Sequence, residues 1–374
     1  MRDFTLETFF SKWEFAARYH MTASDMQSMS VSELLALASD EDRTAFDKLH
    51  LGYTETWGAP DLRAEIARTY ERAEPDDILC FAGAEEGIYI AMKVLLEPSD
   101  HAIVVVPNYQ AAETLPLSIC AVSGVALNAE DNWSLDIDAV RAAIRPNTKL
   151  ISINFPNNPT GAVLERSRFD ALVELCREQG IWLFSDEVYR GVEREESLRL
   201  PQAGDVYERG LSLNVMSKAY GLPGLRIGWI MTRDREIRSR MERYKHYLSI
   251  CNSAPSERLS LIALKARDQI LTRNRALLAE NAVKLGSFFA EFPDLFDWRQ
   301  PEGGCVGYPC YKGPGSTDEF CEKLVRESGV LLLPPHIYHS ELLPTPSDRF
   351  RVGFGRANID EGLSAFRAWL RRNG

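Results

Sequence analysis

Seven short, nearly unbroken apolar runs recur along the chain: Ile78–Phe81, His101–Val106, Val122–Leu127, Leu150–Asn154, Ile181–Phe184, Leu211–Val215 and Arg226–Met231. Runs this short, with little polar alternation, are what strands buried on both faces require. Helical patterns fill the gaps at Ala84–Leu96, Ile137–Ile144 and Glu165–Gln179. In the last, Phe169, Leu172, Val173 and Cys176 share one helix face. Strand–helix alternation of this kind predicts an α/β fold with a mostly parallel sheet sandwiched by helices.

After Ile230 the pattern changes. Residues from Arg233 to Phe292 read as helix, broken near Asn252–Glu257, and short strands then mix with helices up to a closing helix, Asp360–Arg371. A chain of 374 residues is too long for one ordinary core. The expected organisation is a large domain over residues 46–260 and a smaller α+β domain built from residues 1–45 and 261–374.

A net charge of -11 opposes nucleic acid or an anionic membrane as partner. No run is long enough to span a bilayer, and the acidic N-terminal stretch does not read as a signal peptide. The seven cysteines are scattered without a CxxC pair, so neither a disulfide framework nor a metal site is expected, and the compartment expected is the cytoplasm.

Chemistry collects where the strands end. In "AGAEEG" a glycine, Gly83, separates a strand from a helix, leaving the unpaired N–H groups of Ala84 and Glu85 where a phosphate could bind. The same glutamates could simply complement the helix dipole. "NFPNNPTG" places Asn158 just past a strand, and "FSDEVY" places Asp186 at the end of another. Either could be ordinary turn or capping chemistry. Lys218 follows the strand Leu211–Val215 and could reach water from a loop. In an open parallel sheet, however, all four strand ends come to one edge, which is where ligands bind.

These segments carry a family resemblance. "SKAYGLPGLRIGW", "NNPTG", "SDEVY", "LGYTETWGAPDLRAEIA", "PEGGCVGY" and "FRVGF" occur in the order found in fold-type I pyridoxal-phosphate (PLP) enzymes. The chain resembles the class I/II aminotransferase family of that fold over about Gly52–Gly355. The resemblance implies PLP as cofactor and a homodimer with shared active sites. It also implies transfer of an α-amino group from an amino acid to a 2-oxo acid, through internal and external aldimines and pyridoxamine phosphate. Lys218 would be the Schiff-base lysine and proton carrier, and Asp186 the partner of the pyridine nitrogen. Asn158 and Tyr189 would be donors to the ring oxygen, and Tyr109 would stack on the ring. Arg226, Ala84, Glu85 and Tyr53 of the partner subunit would hold the phosphate, and Arg351 the substrate carboxylate. Asn158 would also face the substrate.

Three departures stand out. Val215 occupies a position where many relatives carry a phosphate-binding hydroxyl, which Ser217 could partly replace. Ala23-Ser24-Asp25 stands where the family usually has Gly-x-Pro, so Ser24 is expected at the substrate, as is Trp57. Arg349 and Arg356 read as surface or supporting residues. The same constellation serves carbon–sulfur β-lyases and capreomycidine-synthase-like enzymes that cyclise or oxidise arginine-like substrates. A non-catalytic PLP-fold binding protein is a further alternative.

Overall fold

The computed structural model describes residues 2–373. Its centre is a seven-stranded sheet. The strands are β1 (Ile78–Phe81), β2 (His101–Val106), β3 (Ala121–Ala126), β4 (Thr148–Asn154), β5 (Trp182–Asp186), β6 (Gly210–Val215) and β7 (Gly228–Met231). Their spatial order is β1-β7-β6-β5-β4-β2-β3. Every residue of β1, β2, β5, β6 and β7 is buried, which accounts for their unalternating sequence. The helices Ala84–Leu95, Ile137–Ala143 and Arg166–Gln179 lie close to where the sequence puts them.

β7 alone runs against its neighbours, antiparallel to both β1 and β6. Its first residue, Gly228, is paired with Phe81 at the end of β1 and with Val215 at the end of β6. Whatever precedes Gly228 therefore stands at the same sheet edge as whatever follows Val215. One short turn thus brings Lys218 and Arg226 to a common edge. The strand expected from Arg226 begins two residues later. A single turn of 3-10 helix, Pro223–Leu225, precedes it, and Arg226 is left-handed at φ 53°.

The break expected at Asn252–Glu257 comes earlier: one helix ends at Lys245 and the next starts at Ala254. The helix restarts at Ala254 with a proline in its first turn, where the missing N–H has no helical partner to lose. That helix, Ala254–Lys265, packs against the helices Pro60–Ala67 and Val31–Ala36. Leu34, Leu62 and Ile262 share its core cluster.

The N-terminal segment begins with helix α1 (Thr5–Trp13) and a two-residue strand, Tyr19–His20, parallel to Val330–Leu331. Beyond it the chain crosses Val352–Gly353 as a strap. A Cβ on Gly353 would stand 2.0 Å from the Ala23 carbonyl oxygen, and one on Gly355 2.5 Å from that of Asp25. Both glycines are needed so that residues 21–25 can pass over "RVGFG" into the cleft. Among the described residues no helix is long and apolar enough to cross a membrane.

Candidate active site

A cavity of about 520 Å³ opens at the carboxyl edge of the sheet. β4, β5 and β6 each deliver a polar group to it: Asn158, Asp186 and Lys218. Neighbouring register fixes their spacing, with Asn154 opposite Asp186 and Asp186 opposite Leu213.

Lys218 is half-buried and its Nζ donates to Ser24 Oγ at 2.8 Å. Burial pulls its pKa down, and the Arg351 charge adds to this, while Asp25 and Asp186 pull the other way. Asp186 is 9% exposed, and burial pushes its pKa up to about 6. Its Oδ1 accepts from the Val188 N–H at 3.2 Å, and no side-chain cation pairs with it among the described residues. A buried carboxylate without a cation is expensive, and a protonated ring nitrogen would relieve it.

The phosphate end is built by close approach. Gly83 precedes the helix Ala84–Leu95 with φ 95° and no side-chain cap. A Cβ there would lie 2.4 Å from Arg226 Nη2. The guanidinium therefore sits against a helix start whose first N–H groups are unpaired, a ready-made anion cradle. Ser217 accepts from Arg226 Nη1 at 3.4 Å and lines the cavity, as does the apolar Val215. This donor set, with the amine and carboxylate above, fits PLP.

Asn158 is tied to the far wall. Its N–H donates to Asn154 Oδ1 at 2.8 Å, and its own Oδ1 accepts from Tyr338 and from Arg351. Arg351 is fully buried, and its remaining contacts are neutral: the Tyr338 hydroxyl at 2.7 Å, the Thr22 carbonyl at 2.7 Å and the Thr22 hydroxyl at 3.4 Å. A buried guanidinium with only neutral acceptors lacks an anion. Tyr189 donates to the Ser24 carbonyl at 2.8 Å. Tyr109 packs against Phe4 with ring centres 5.5 Å apart. Glu85, beside Tyr109, is pushed by burial up to about 7, and its Oε2 has no partner.

The family whose description is "Aminotransferase class I and II" matches residues 23–366. The chain belongs to this family. Its cofactor is PLP. A capreomycidine synthase from Streptomyces vinaceus is 27% identical over 365 residues, covering 96% of this chain and 92% of that protein. An aspartate aminotransferase from Thermotoga maritima is 28% identical over 295 residues, 75% and 74% of the two chains. A PLP-dependent aminotransferase structure from Streptococcus suis superposes with a TM-score of 0.92 at 31% identity, covering 99% and 98%.

Of the residues singled out in the sequence, the cavity gathers Lys218, Asp186, Asn158, Tyr189, Tyr109, Ala84, Glu85, Ser217, Arg226 and Ser24. Gly83 stands behind Arg226, and Arg351 behind Asn158. Two do not join them within this chain. Tyr53 is 93% exposed. The Trp57 ring lies between the guanidinium groups of Arg63 and Arg238, at 5.7 and 5.8 Å. Arg349 donates to the Tyr308 carbonyl outside the cavity. Arg356 is no bystander: it lines the cavity, paired with Asp25 at 3.1 Å. Sequence reasoning also missed Tyr338 and the cavity side of α1, which contributes Phe4, Glu7, Phe10 and Glu14. For α1 a signal existed: Glu7 and Glu14 are seven residues apart, two turns along one helix face.

Proposed function

We propose that the protein is an aminotransferase that moves an α-amino group from an amino acid to a 2-oxo acid, working as a homodimer in which Tyr53 reaches the neighbouring site. The observation that carries this reading is Lys218, an amine whose pKa burial lowers, facing a cavity it shares with the unpaired carboxylate of Asp186.

Bound PLP supplies an electrophilic aldehyde carbon and a ring that accepts electrons. Lys218 would hold the cofactor at that carbon, and its amine would move the proton at the substrate Cα as general base and acid. Its lowered pKa keeps more of the amine in the form that can accept that proton. Asp186 would hold the proton on the ring nitrogen, Asn158 would donate to the ring oxygen, and Tyr189 would do so on turning its hydroxyl from the Ser24 carbonyl. Arg226, Ser217 and the N–H groups of Ala84 and Glu85 hold the phosphate, and Tyr109 covers the ring. Arg351 exchanges neutral acceptors for the substrate carboxylate, where its fork binds two oxygens at once. Ser24, between Lys218 and Tyr189, meets the substrate as it arrives.

A second reading is cyclisation or oxidation of an arginine-like substrate. It is supported by the likeness to capreomycidine synthase along 96% of the chain. One spectral experiment separates the two. In transamination, an amino acid alone converts the cofactor absorbance to its amine form, and a 2-oxo acid reverses it. Persistence of the aldehyde form while a cyclised or oxidised product accumulates would overturn the first reading. Release of pyruvate and ammonia would mean elimination.

A further inference from the structure

We propose that the cavity is built for an amino acid whose side chain carries a positive charge on an apolar stem, and that Glu7 on α1 and Glu14 at its C-terminal end read that charge. The proposal rests on the reading above, because it assigns the side-chain end of the same pocket.

Charge bookkeeping over the cavity wall leads there. Five carboxylates line it: Glu7, Glu14, Asp25, Glu85 and Asp186. Three basic side chains face them, Lys218, Arg226 and Arg356. Arg356 is held by Asp25. Lys218 and Arg226 belong to the aldehyde and phosphate ends, and Asp186 to the ring nitrogen. Glu85 sits beside Tyr109, and burial moves it toward neutrality. His20 also lines the wall, but burial and the Arg356 charge push its pKa down to about 4, so it is neutral at pH 7. Glu7 and Glu14 are what remains. Neither carboxylate has a salt-bridge or hydrogen-bond partner among the described residues.

Glu7 is exposed and Glu14 is half-buried, yet both line the cavity rather than the outer surface alone. α1 turns Leu6 and Phe10 toward the cavity together with the two glutamates, and Phe4 lines it just ahead of the helix. Glu14 is half-buried, and burial, with Glu7 as a second cause, raises its pKa. Phe4 and Phe10 offer an apolar surface to methylenes, as the stems of lysine and arginine require. An anionic side chain would meet two carboxylates and no free cation, so aspartate should be a poor substrate.

The test compares arginine, its neutral isostere citrulline, and aspartate with the holoenzyme. Calorimetric Kd is measured alongside kcat/KM. The expected result is at least a tenfold preference for arginine over citrulline in both quantities, with aspartate the poorest. The double variant Glu7→Gln/Glu14→Gln should cut that preference at least tenfold, and Glu14→Lys should shift it toward glutamate. Equal handling of arginine and citrulline, or an undiminished preference in the double variant, overturns the proposal. Arginine that binds selectively without converting the cofactor would sink transamination and leave this inference standing. Conversion by aspartate alone would do the reverse.

Discussion

Lys218 Nζ and Ser24 Oγ are 2.8 Å apart, joined by a hydrogen bond between the loop after β6 and the N-terminal strap. The bond links residues 194 positions apart in sequence and puts strap and amine in contact. It means that a side chain unique to the strap, not only the sheet edge, sets where the amine points.

Lys218→Ala should remove the protein–cofactor covalent link and lower kcat by about 10⁴-fold or more, the scale of losing a general base and nucleophile together. Borohydride reduction followed by peptide mass analysis reads the link directly. A wild-type rate in this variant would sink the assignment.

Gly83→Ala should weaken cofactor retention. The new Cβ needs the space of Arg226 Nη2, at 2.4 Å, and the backbone there has φ 95°. The guanidinium must swing out of the cradle, and the strained backbone costs at least about 1 kcal/mol. Dialysis followed by absorbance of the retained cofactor would show the loss, and thermal unfolding of the cofactor-free protein would show the strain.

Arg351→Ala should raise KM for the amino acid about a hundredfold or more while the cofactor stays bound. Truncating one side of a buried ionic contact costs about 2–5 kcal/mol. Arg351→Lys should restore little, because an ammonium cannot grip two carboxylate oxygens as a planar fork does. An unchanged kcat/KM would move the carboxylate contact elsewhere.

In the cofactor-free protein, Asp186 should contribute a loss of stability as pH rises from about 4 toward 7, against the opposite contribution of His20 and His101, both lowered by burial to about 4. Asp186 is raised to about 6, chiefly by burial, so the folded chain binds its proton more tightly than the unfolded chain does. The associated stability is full below the ordinary carboxylate pKa and is lost as pH passes through the folded value. Glu187, raised by burial to about 7, adds to the trend. Asp186→Asn should flatten the pH profile of Tm by the equivalent of about 2–3 kcal/mol. A slope identical to the wild type would refute this.

The sheet was legible because strands buried on both faces leave uninterrupted apolar runs, and the strand-end residues Asn158, Asp186 and Lys218 follow from those runs. Arg226 was legible as a residue but not as a conformation. Its left-handed φ depends on the turn from Pro223, and the strand begins only at Gly228. Glu7, Glu14 and Arg356 were not legible as cavity residues. The heptad spacing of Glu7 and Glu14 marks a shared face, but that the face meets the cavity depends on the strap passing over Gly353 and Gly355, a contact between opposite ends of the chain. Trp57 was expected at the substrate; within this chain its ring lies against the guanidinium groups of Arg63 and Arg238.

The reversed strand β7 also bears on the order in which the molecule assembles. It lets the aldehyde and phosphate anchors close through one short turn, whereas Arg351 meets Thr22 only across 329 positions of chain. Loop-closure entropy favours the nearer contact. Along the chain, Asp186, Lys218 and Arg226 are therefore all made before Arg351, the arginine that would grip a substrate.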